Sequence, residues 1–295
     1  MKFVITGGNG FLFKNFCEQY QHDIVAPRSA EVDWVTGDGI DKLPTQPDVF
    51  IHSAAIYGGL VFNQRYPERI LLDNMRMSIN VFDYLLTSKP KKVIIIGSAC
   101  SYPGNATGTL SEDMIGTGRM ERTVELYAIN KLWQLAASER LLDNWSHLVL
   151  ANMYGPYDHI NLEKSHVTGA LIQKILQAKK ENTDVKLLGT GEPLRSLVYV
   201  KDVCDVINYF ALNDIPNGAY NIGHDNGVSI KQIAQAIIDI VDFKGNIIWG
   251  DAKDNGAMVK VLNYTKLDTV YPGRQKTDLS SGLEKAIEYI NGKLR

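Results

Sequence analysis

The sequence predicts an α/β protein with a doubly wound parallel sheet, and three features of the chain favour that class. Short β-branched runs alternate with longer amphipathic runs through residue 150. The stretch Lys92–Gly97 has the continuous hydrophobicity of a strand that is buried on both faces. A glycine cluster follows the first strand and precedes the first helix. Together these features predict a Rossmann-type sheet with a smaller α/β substrate lobe towards the C-terminus.

The composition is that of a globular protein with a small-molecule partner. The 295 residues are 45% hydrophobic, which is enough for a full core. The 31 basic and 33 acidic residues nearly balance, and no long basic run is present, which argues against nucleic-acid binding. A strand pattern begins at the N-terminus and no apolar run approaches membrane-spanning length. We therefore expect a cytoplasmic protein without a signal peptide or a membrane segment.

The cysteine pattern predicts free thiols. Cys17, Cys100 and Cys204 are odd in number, widely spaced and outside any CxxC motif. That pattern argues against a disulfide framework and against a zinc site, so we expect no bound metal.

The glycine cluster is the first candidate for cofactor binding. Glycines let the backbone approach a pyrophosphate, and the N-terminus of the following helix supplies N–H groups and a positive dipole end. We predict that the contacting residues are Gly7, Gly8, Asn9, Gly10, Phe11 and Leu12. An ordinary glycine turn is the alternative. Phe13 replaces the third glycine of the usual spacing, so we expect a locally shifted first helix.

The end of the second strand indicates which cofactor is bound. Arg28 and Ser29 stand where an enzyme that prefers NAD usually has an acidic residue for the ribose 2′-hydroxyl. A guanidinium and a hydroxyl instead suit a 2′-phosphate, which predicts NADP(H). A solvated arginine after a strand is the alternative interpretation.

The third strand, Asp48–Ala55, ends in small residues. Ala54 and Ala55, followed by Gly58 and Gly59, would let the backbone pass close to the cofactor. A helix predicted from Pro67 to Ser88 then carries Asn74 in its middle. Asn74 is a candidate for a proton relay beside the cofactor, and a structural asparagine is an equally good interpretation.

Tyr127 and Lys131 form a candidate acid-base pair. They are four residues apart in a helical pattern and therefore share one helix face. We expect the ammonium to lower the pKa of the phenol, as acid-base chemistry on a carbonyl requires. Ser98 and Cys100 follow the buried strand Lys92–Gly97 and project to the same side if the chain stays extended.

Beyond Tyr157 the regular alternation ends. We predict a loop with His159 and His166, a helix at Val167–Lys180, a strand at Val185–Leu188 and a last long helix at Ile230–Val241. The division that we expect has two parts. Residues 1–156 with 195–220 would bind the cofactor, and residues 157–194 with 221–295 would bind the substrate.

Seven motifs carry a resemblance to a known family. They are TGGNGFL at the start, AAIYGGL at 54–60, GSACSYP at 97–103, YAINK at 127–131, NMYGPYD at 152–158, SHV at 165–167 and GTGEPLR at 189–195. With these motifs the chain resembles the extended short-chain dehydrogenase/reductases that act on nucleotide sugars. Within that family it resembles most the GDP-L-fucose synthase branch, the epimerase/reductases of GDP-4-keto-6-deoxymannose.

The resemblance implies a site and a reaction. Ser98, Tyr127 and Lys131 correspond to the reductase triad, and Cys100 and His166 to the epimerisation pair. It further implies NADPH as cofactor, a nucleotide-diphosphate sugar as substrate and a homodimer. Substrate contacts would come from Asn152, His166, Val167, Arg195 and Lys260. The Arg-Lys pair and following acid usual in the family are not matched, because this chain reads MVKVLN at 258–263.

Other functions remain open at this point. Single-function relatives perform only the C4 reduction or only an epimerisation, on sugars that include deoxyheptoses. A 4,6-dehydratase or 4-epimerase would need an acidic pair beside Ser98, and Ala99 and Cys100 do not supply it. A non-catalytic Rossmann protein that senses the cofactor has no need of Tyr127 and Lys131.

Overall fold

A computed structural model describes residues 1–58, 60–160, 165–223 and 227–294 of the chain. Its centre is a parallel sheet of six strands. These strands are β1 (Lys2–Thr6), β2 (Asp23–Val25), β3 (Val49–His52), β4 (Lys92–Ser98), β6 (Trp145–Leu150) and β11 (Gly218–Ile222). The α/β class with a doubly wound parallel sheet, predicted from the sequence, is confirmed.

The order of the strands places a crevice at the start of the chain. Across the sheet the order is β11-β6-β4-β3-β1-β2, and every neighbouring pair is parallel. The direction in which successive strands are added across the sheet reverses after β2, because β2 lies to one side of β1 and all later strands of this sheet lie to the other. In sheets of this kind ligands bind beyond the carboxyl ends of the strands at such a switch point.

Alternation along the strands buries both faces of the sheet. In β1, Phe3 and Ile5 pack into one hydrophobic cluster, while Val4 packs into a second cluster. The strand β4 repeats this division with Ile94 on one side and Ile95 on the other. Because successive side chains point to opposite faces, helices must cover both sides of the sheet.

Nine helices are seen among the described residues. They are α1 (Phe11–Gln19), α2 (Leu60–Arg65), α3 (Asn74–Ser88), α4 (Glu125–Leu141), α5 (Val167–Glu181), α6 (Val200–Leu212), α7 (Ile230–Val241), α8 (Thr265–Val270) and α9 (Leu279–Leu294). A π-helical turn, Arg69–Asp73, leads directly into α3. No helix in this part of the chain is long and apolar enough to cross a lipid bilayer.

Short strands build three further sheets. A sheet of four has the order β12 (Val228–Ser229), β9 (Leu194–Arg195), β14 (Val259–Leu262) and β5 (Thr109–Leu110). Two pairs complete the set: β10 (Leu197–Tyr199) with β7 (Asn152–Tyr154), and β13 (Ile247–Trp249) with β8 (Val185–Leu187). Helices α5, α7 and α9 pack on one another beside these strands. The boundaries proposed above for the two parts of the chain stay a prediction.

Two details of the fold differ from the expectations. The helix at Ile230–Val241 is not the last long one, because α9 follows it with 16 residues. Asn74 lies at the junction between the π turn and α3 rather than in the middle of one helix.

Phe13 occupies the position of the third fingerprint glycine. Its ring is fully buried and packs 5.4 Å from the ring of Phe16. The core therefore contains a large side chain where close packing of helix and strand usually requires none. The shift of α1 that we expected from this substitution stays a prediction.

Candidate active site

The glycine loop fits tightly against the neighbouring strands. Gly7 has φ +73°, and a Cβ there would lie 2.9 Å from the backbone nitrogen of Ala54. A Cβ at Gly8 would lie 2.3 Å from the Cβ of Ala26. Gly10 precedes α1, whose first turn contains no acidic side chain that would repel a phosphate. This geometry fits the close approach of a dinucleotide, for which Asn9, Phe11 and Leu12 remain candidates by position.

The segment after β3 is tied to this loop. The Oγ1 atom of Thr6 accepts hydrogen bonds from the backbone nitrogens of Ser53 and Ala54, at 3.0 and 2.9 Å. Ala55 and Gly58 follow in the same irregular stretch, and Gly59 lies outside the described residues. The backbone that we expected beside the cofactor is therefore fixed by the last residue of β1.

Asn74 is engaged by the same segment. Its side chain accepts from the Ile56 nitrogen at 2.8 Å and donates to the carbonyls of Ile56 and Ile70, both at 2.7 Å. Because the side chain is only 2% exposed, it acts here as a clamp on the backbone. This geometry favours the structural interpretation of Asn74 over a proton relay.

Ser98 is the last residue of β4, and Cys100 lies in the turn that follows it. Residues Ala99–Ser101 form one turn of 3₁₀ helix, so the chain does not stay extended after Ser98. The Oγ of Ser98 accepts a hydrogen bond of 3.2 Å from the backbone nitrogen of Cys100. All three cysteines are free thiols, and Cys100 is half-buried.

Tyr127 and Lys131 lie in the first turns of α4. The ammonium of Lys131 is 5.6 Å from the centroid of the Tyr127 ring. It donates to the carbonyl of Ile96 at 2.7 Å and to Oε1 of Gln134 at 3.2 Å. The side chain is 1% exposed, and burial lowers the pKa of Lys131 to about 7 although Cys100 acts in the opposite direction.

The pKa of Tyr127 does not move as we expected. Burial raises it well above the ordinary phenol value, and Cys100 and Tyr57 raise it further. The expectation that Lys131 lowers this pKa is wrong for this structure, because desolvation is the largest cause of the shift and the ammonium is not among the groups that contribute to it. At neutral pH Tyr127 is therefore a protonated phenol, which suits a proton donor.

His166 is linked to Tyr127 by Tyr57, which stacks on His166 and acts on the pKa of Tyr127. Its ring stacks on Tyr57 with the centroids 5.7 Å apart and the planes 10° apart. Burial lowers the pKa of His166, and the nearby His159 lowers it further. The imidazole is thus neutral at pH 7 and is a weaker base than an exposed histidine. Burial also raises the pKa of Tyr57 to about 12, with a smaller contribution from Asp158.

Asp158 is a buried carboxyl group behind this pair. It is 3% exposed, and its Oδ2 has no hydrogen-bond partner among the residues that the structure describes. Burial raises the pKa of Asp158 to about 7, against the effect of a 2.7 Å hydrogen bond from the backbone nitrogen of His159. Asp158 therefore titrates in the neutral range.

Two predicted substrate residues lie side by side in the four-stranded sheet. Lys260 on β14 is the register partner of Arg195 on β9. The guanidinium of Arg195 donates to the carbonyls of Leu194 at 2.8 Å and Asn255 at 3.5 Å. Two cationic side chains from adjacent strands can bind the two phosphates of a diphosphate. Asn152 begins β7 and Val167 begins α5.

Arg28 lies at the surface, away from these buried groups. Its side chain is 70% exposed and forms an ion pair with Glu31 at 3.2 Å. This pairing holds the pKa of the Glu31 carboxyl below its usual value. An acidic group does therefore follow this strand, three residues beyond Arg28, and Ser29 is exposed beside the pair.

Sequence reasoning missed Tyr57, Asp158 and Gln134. Tyr57 and Asp158 stood inside quoted motifs, AAIYGGL and NMYGPYD, and a titratable side chain in each was a usable signal. Gln134 gave no local signal, because its partner His52 lies on the distant strand β3.

Comparisons with known proteins show the family and the fold of the chain. Residues 3–223 match the NAD dependent epimerase/dehydratase family. A GDP-L-colitose synthase of Yersinia pseudotuberculosis is 30% identical, with 98% of each chain covered. A GDP-L-fucose synthase of Sinorhizobium fredii is 32% identical over 90% of this chain and 86% of its own. A crystal structure of a GDP-L-fucose synthetase from Naegleria fowleri bound to NADP matches with TM-score 0.88 and 24% identity, covering 99% of this chain and 93% of that one.

The titration of Asp158 generates a test of the site electrostatics. Its folded pKa of about 7 exceeds the unfolded value of about 3.9, so its contribution to stability is complete below pH 3.9 and is lost as the pH rises through 7. Asp158→Asn should therefore gain stability relative to the parent between pH 5 and pH 8, by roughly 2.5 kcal/mol. Urea unfolding at both pH values measures this gain.

Asp41→Asn, at an exposed position, is the control and should behave as the parent does. Equal effects of Asp158→Asn at pH 5 and pH 8 would show that the carboxyl is already ionised in the folded protein.

Proposed function

The chain belongs to the NAD dependent epimerase/dehydratase family, and from that premise we propose that it is an NADPH-dependent epimerase/reductase of a nucleotide-linked 4-keto-6-deoxy sugar. The observation that carries the proposal is the convergence of acid-base groups around Tyr127. Cys100 and Tyr57 both act on its pKa, and Tyr57 stacks on His166. The relatives named GDP-L-colitose synthase and GDP-L-fucose synthase support a GDP-linked sugar.

In the proposed reduction Tyr127 is the acid. When bound, NADPH supplies hydride to C4 of the sugar. Tyr127, held as a neutral phenol by burial, gives its proton to the C4 oxygen as negative charge develops there. Ser98 donates a hydrogen bond to the same oxygen, and Lys131 orients the nicotinamide ribose and favours the developing phenolate. Each residue thus stabilises charge that appears only during the reaction.

In the proposed epimerisation Cys100 and His166 act on opposite faces of the sugar. The 4-keto group acidifies the protons at C3 and C5, so a thiolate can remove one of them and leave an enolate. His166 returns a proton to the other face, which inverts the centre. Because the pKa of His166 is lowered, the imidazole must be protonated before it donates. The Cys100 thiol releases a proton as the thiolate forms and His166 takes one up, so removal of the carbon proton by the thiolate and donation by the imidazolium return both groups to their starting forms.

Arg195 and Lys260 are the proposed partners of the substrate diphosphate. Their register across two parallel strands supports this role, and both charges then lie on one face of the small sheet. Asn152 and Val167 are proposed to contact the sugar, since each begins an element next to the loop that carries His159 and His166.

Solvent exchange separates the two half-reactions. In deuterated water the parent should introduce deuterium at C3 or C5 of GDP-4-keto-6-deoxymannose without cofactor, as followed by NMR. Cys100→Ser should lose this exchange by orders of magnitude, because a hydroxyl is a far poorer base at neutral pH. Tyr127→Phe should retain exchange and lose reduction with NADPH, and His166→Asn should stall the epimerisation.

The outcomes distinguish the proposal from a simpler enzyme. A parent protein that reduces the ketone but exchanges neither position is a C4 reductase only. Reduction by Tyr127→Phe within a few-fold of the parent would mean that another group is the acid.

Arg28 generates a prediction on cofactor preference. We propose that the 2′-phosphate of NADPH replaces Glu31 as the partner of Arg28. Arg28→Ala should then weaken NADPH binding by roughly tenfold and leave NADH unchanged, the lower end of the range for a charge-assisted contact because the site is exposed. Glu31→Gln should strengthen NADPH binding.

Fluorescence titration of both cofactors measures these effects. Arg76→Ala is the matched control, since Arg76 also pairs with an acid three residues away and is exposed to a similar degree. Equal affinity of the parent for NADPH and NADH would contradict the assignment.

We also propose that the protein is a cytoplasmic homodimer joined through α3 and α4. These helices pack together and leave Ile79, Leu86, Ile129 and Leu141 between 39% and 48% exposed. Ile79 and Leu86 are seven residues apart and share a face of α3, as an interface between helices requires.

Sedimentation equilibrium should give twice the chain mass of 32.9 kDa for the parent and the single chain mass for Ile79→Glu combined with Leu86→Glu. Leu212→Glu, at another exposed apolar position, should leave the dimer intact. A monomeric parent at micromolar concentration would exclude this interface.

A further inference from the structure

A continuous group of buried polar side chains lies beneath the candidate acid-base pair. Each member is at most 1% exposed. The group consists of Thr6, His52, Ser78, Asn130, Lys131 and Gln134. Polar groups buried this deeply are costly unless their hydrogen bonds are satisfied, so the arrangement of donors and acceptors is constrained.

A chain of hydrogen bonds crosses this group from Lys131 to the first strand. Lys131 donates to Oε1 of Gln134 at 3.2 Å. The Nε2 of Gln134 lies 3.1 Å from Nε2 of His52, and Nδ1 of His52 lies 2.9 Å from Oγ1 of Thr6. Thr6 in turn accepts from the backbone nitrogens of Ser53 and Ala54. The lysine is thereby connected to the turn that is expected to face the cofactor.

The charge of Lys131 sets the direction of this chain. An ammonium has three donors and no acceptor, so Gln134 must turn its carbonyl oxygen towards it. The amide nitrogen of Gln134 then points at His52 and donates to Nε2. Burial lowers the pKa of His52 far below its usual value, so the ring is neutral. Because Nε2 accepts from Gln134, the one ring proton is on Nδ1, where it competes with the Ser53 and Ala54 nitrogens for the two lone pairs of the Thr6 hydroxyl oxygen.

A second branch fixes the Gln134 side chain from the other side. Its Nε2 also lies 2.8 Å from Oγ of Ser78 and 3.2 Å from Oδ1 of Asn130. Asn130 donates to the same Ser78 hydroxyl at 2.9 Å and to the carbonyl of Asn74 at 3.1 Å. The two N–H groups of the Gln134 amide thus have three acceptors within reach, which again leaves its oxygen for Lys131.

We propose that Gln134 and His52 are positioning residues that hold Lys131 in its ammonium form and couple its charge to the turn at Ser53 and Ala54. When Lys131 loses its proton, its nitrogen can accept a hydrogen bond, and the Gln134 amide can then reverse. Its oxygen would accept from the Ser78 hydroxyl and from Nε2–H of His52, at the loss of the contact with Asn130 Oδ1, while the His52 proton moves from Nδ1 to Nε2 and the Thr6 hydroxyl donates to Nδ1. The tautomer of His52 therefore reports the charge of Lys131. The link to catalysis rests on the role of Lys131 in the proposed function. The change of the His52 tautomer with the charge of Lys131 does not depend on that role.

Four titratable groups surround the Lys131 ammonium. Tyr127 comes from the same helix, Cys100 from the turn after β4, His52 from β3 and His147 from β6. Both histidines are kept neutral by burial, which lowers the pKa of His147 to about 3. Because both histidines stay neutral, Lys131 is the cation of this cluster, and its charge changes near neutral pH.

The tautomer is tested by ¹⁵N NMR of the full-length protein labelled at histidine. The His52 signals are assigned by their loss in His52→Gln. At pH 6 we expect the Nδ1–H form, with conversion towards Nε2–H as the pH rises through the titration of Lys131. In Gln134→Leu this conversion should be absent. An Nε2–H form at pH 6 would overturn the proposal.

The effect on Lys131 is tested by the pH dependence of kcat with NADPH and GDP-4-keto-6-deoxymannose. Gln134→Glu places a carboxylate against the ammonium, so the alkaline limb should move up by about one pH unit or more. Gln134→Leu removes the acceptor, so the limb should move down. Ser138→Ala is the matched control: Ser138 is equally buried one turn further along α4, and its hydroxyl donates to the backbone carbonyl of Gln134 rather than to its side chain.

The outcomes separate a positioning role from a structural one. A uniform fall in kcat with an unmoved alkaline limb in both Gln134 variants would mean that Gln134 serves packing alone, and would overturn the proposal. If Gln134→Leu does not fold, the upward shift in Gln134→Glu decides. If the parent reduces no 4-keto sugar, the proposed function fails, while the NMR result still decides whether the network reads the charge of Lys131.

Discussion

The burial of the Lys131 ammonium is the constraint on which the rest of the site depends. Water is replaced at this charge by the Ile96 carbonyl and the Gln134 amide oxygen. Even so, desolvation lowers the pKa of Lys131 to about 7, so the charge is only marginally stable. Its partners come from β4 and α4, and the next partner, His52, comes from β3. The packing of α4 on the sheet therefore also determines the pKa of Lys131.

The parallel sheet explains why the candidate residues converge although they are far apart in sequence. Gly7 follows β1, Ala54 follows β3 and Cys100 follows β4, and the carboxyl ends of these strands share one edge of the sheet. The switch point between β1 and β3 opens the crevice there, and the glycine loop lines it. The proposed contacts with the substrate come instead from the small sheet, where Arg195 and Lys260 are register partners.

The sequence was sufficient for features that depend on neighbouring residues. The strands, the glycine loop and the YAINK helix carry periodic or local patterns, and the structure has all of them. The bond between Gln134 and His52 spans 82 residues and leaves no local pattern. Helix α9 escaped prediction because it contains two glycines and two serines, which are weak helix formers. One of them, Gly282, is required by tertiary packing, since a Cβ there would lie 2.4 Å from the Tyr154 hydroxyl.

The opposite shifts of Tyr127 and Lys131 have one cause. Local reasoning treated them as an isolated pair in which the ammonium stabilises the phenolate. In the folded protein desolvation disfavours both charges, so the pKa of the phenol rises while that of the ammonium falls. The result is a protonated phenol beside a lysine that is only partly protonated at neutral pH. Such a phenol keeps its proton until negative charge develops on a nearby oxygen, and the cation then gains most from the phenolate that is left behind. In the proposed reaction the Lys131 ammonium would thus stabilise the Tyr127 phenolate only when it forms, because burial prevents an ion pair between them in the resting state.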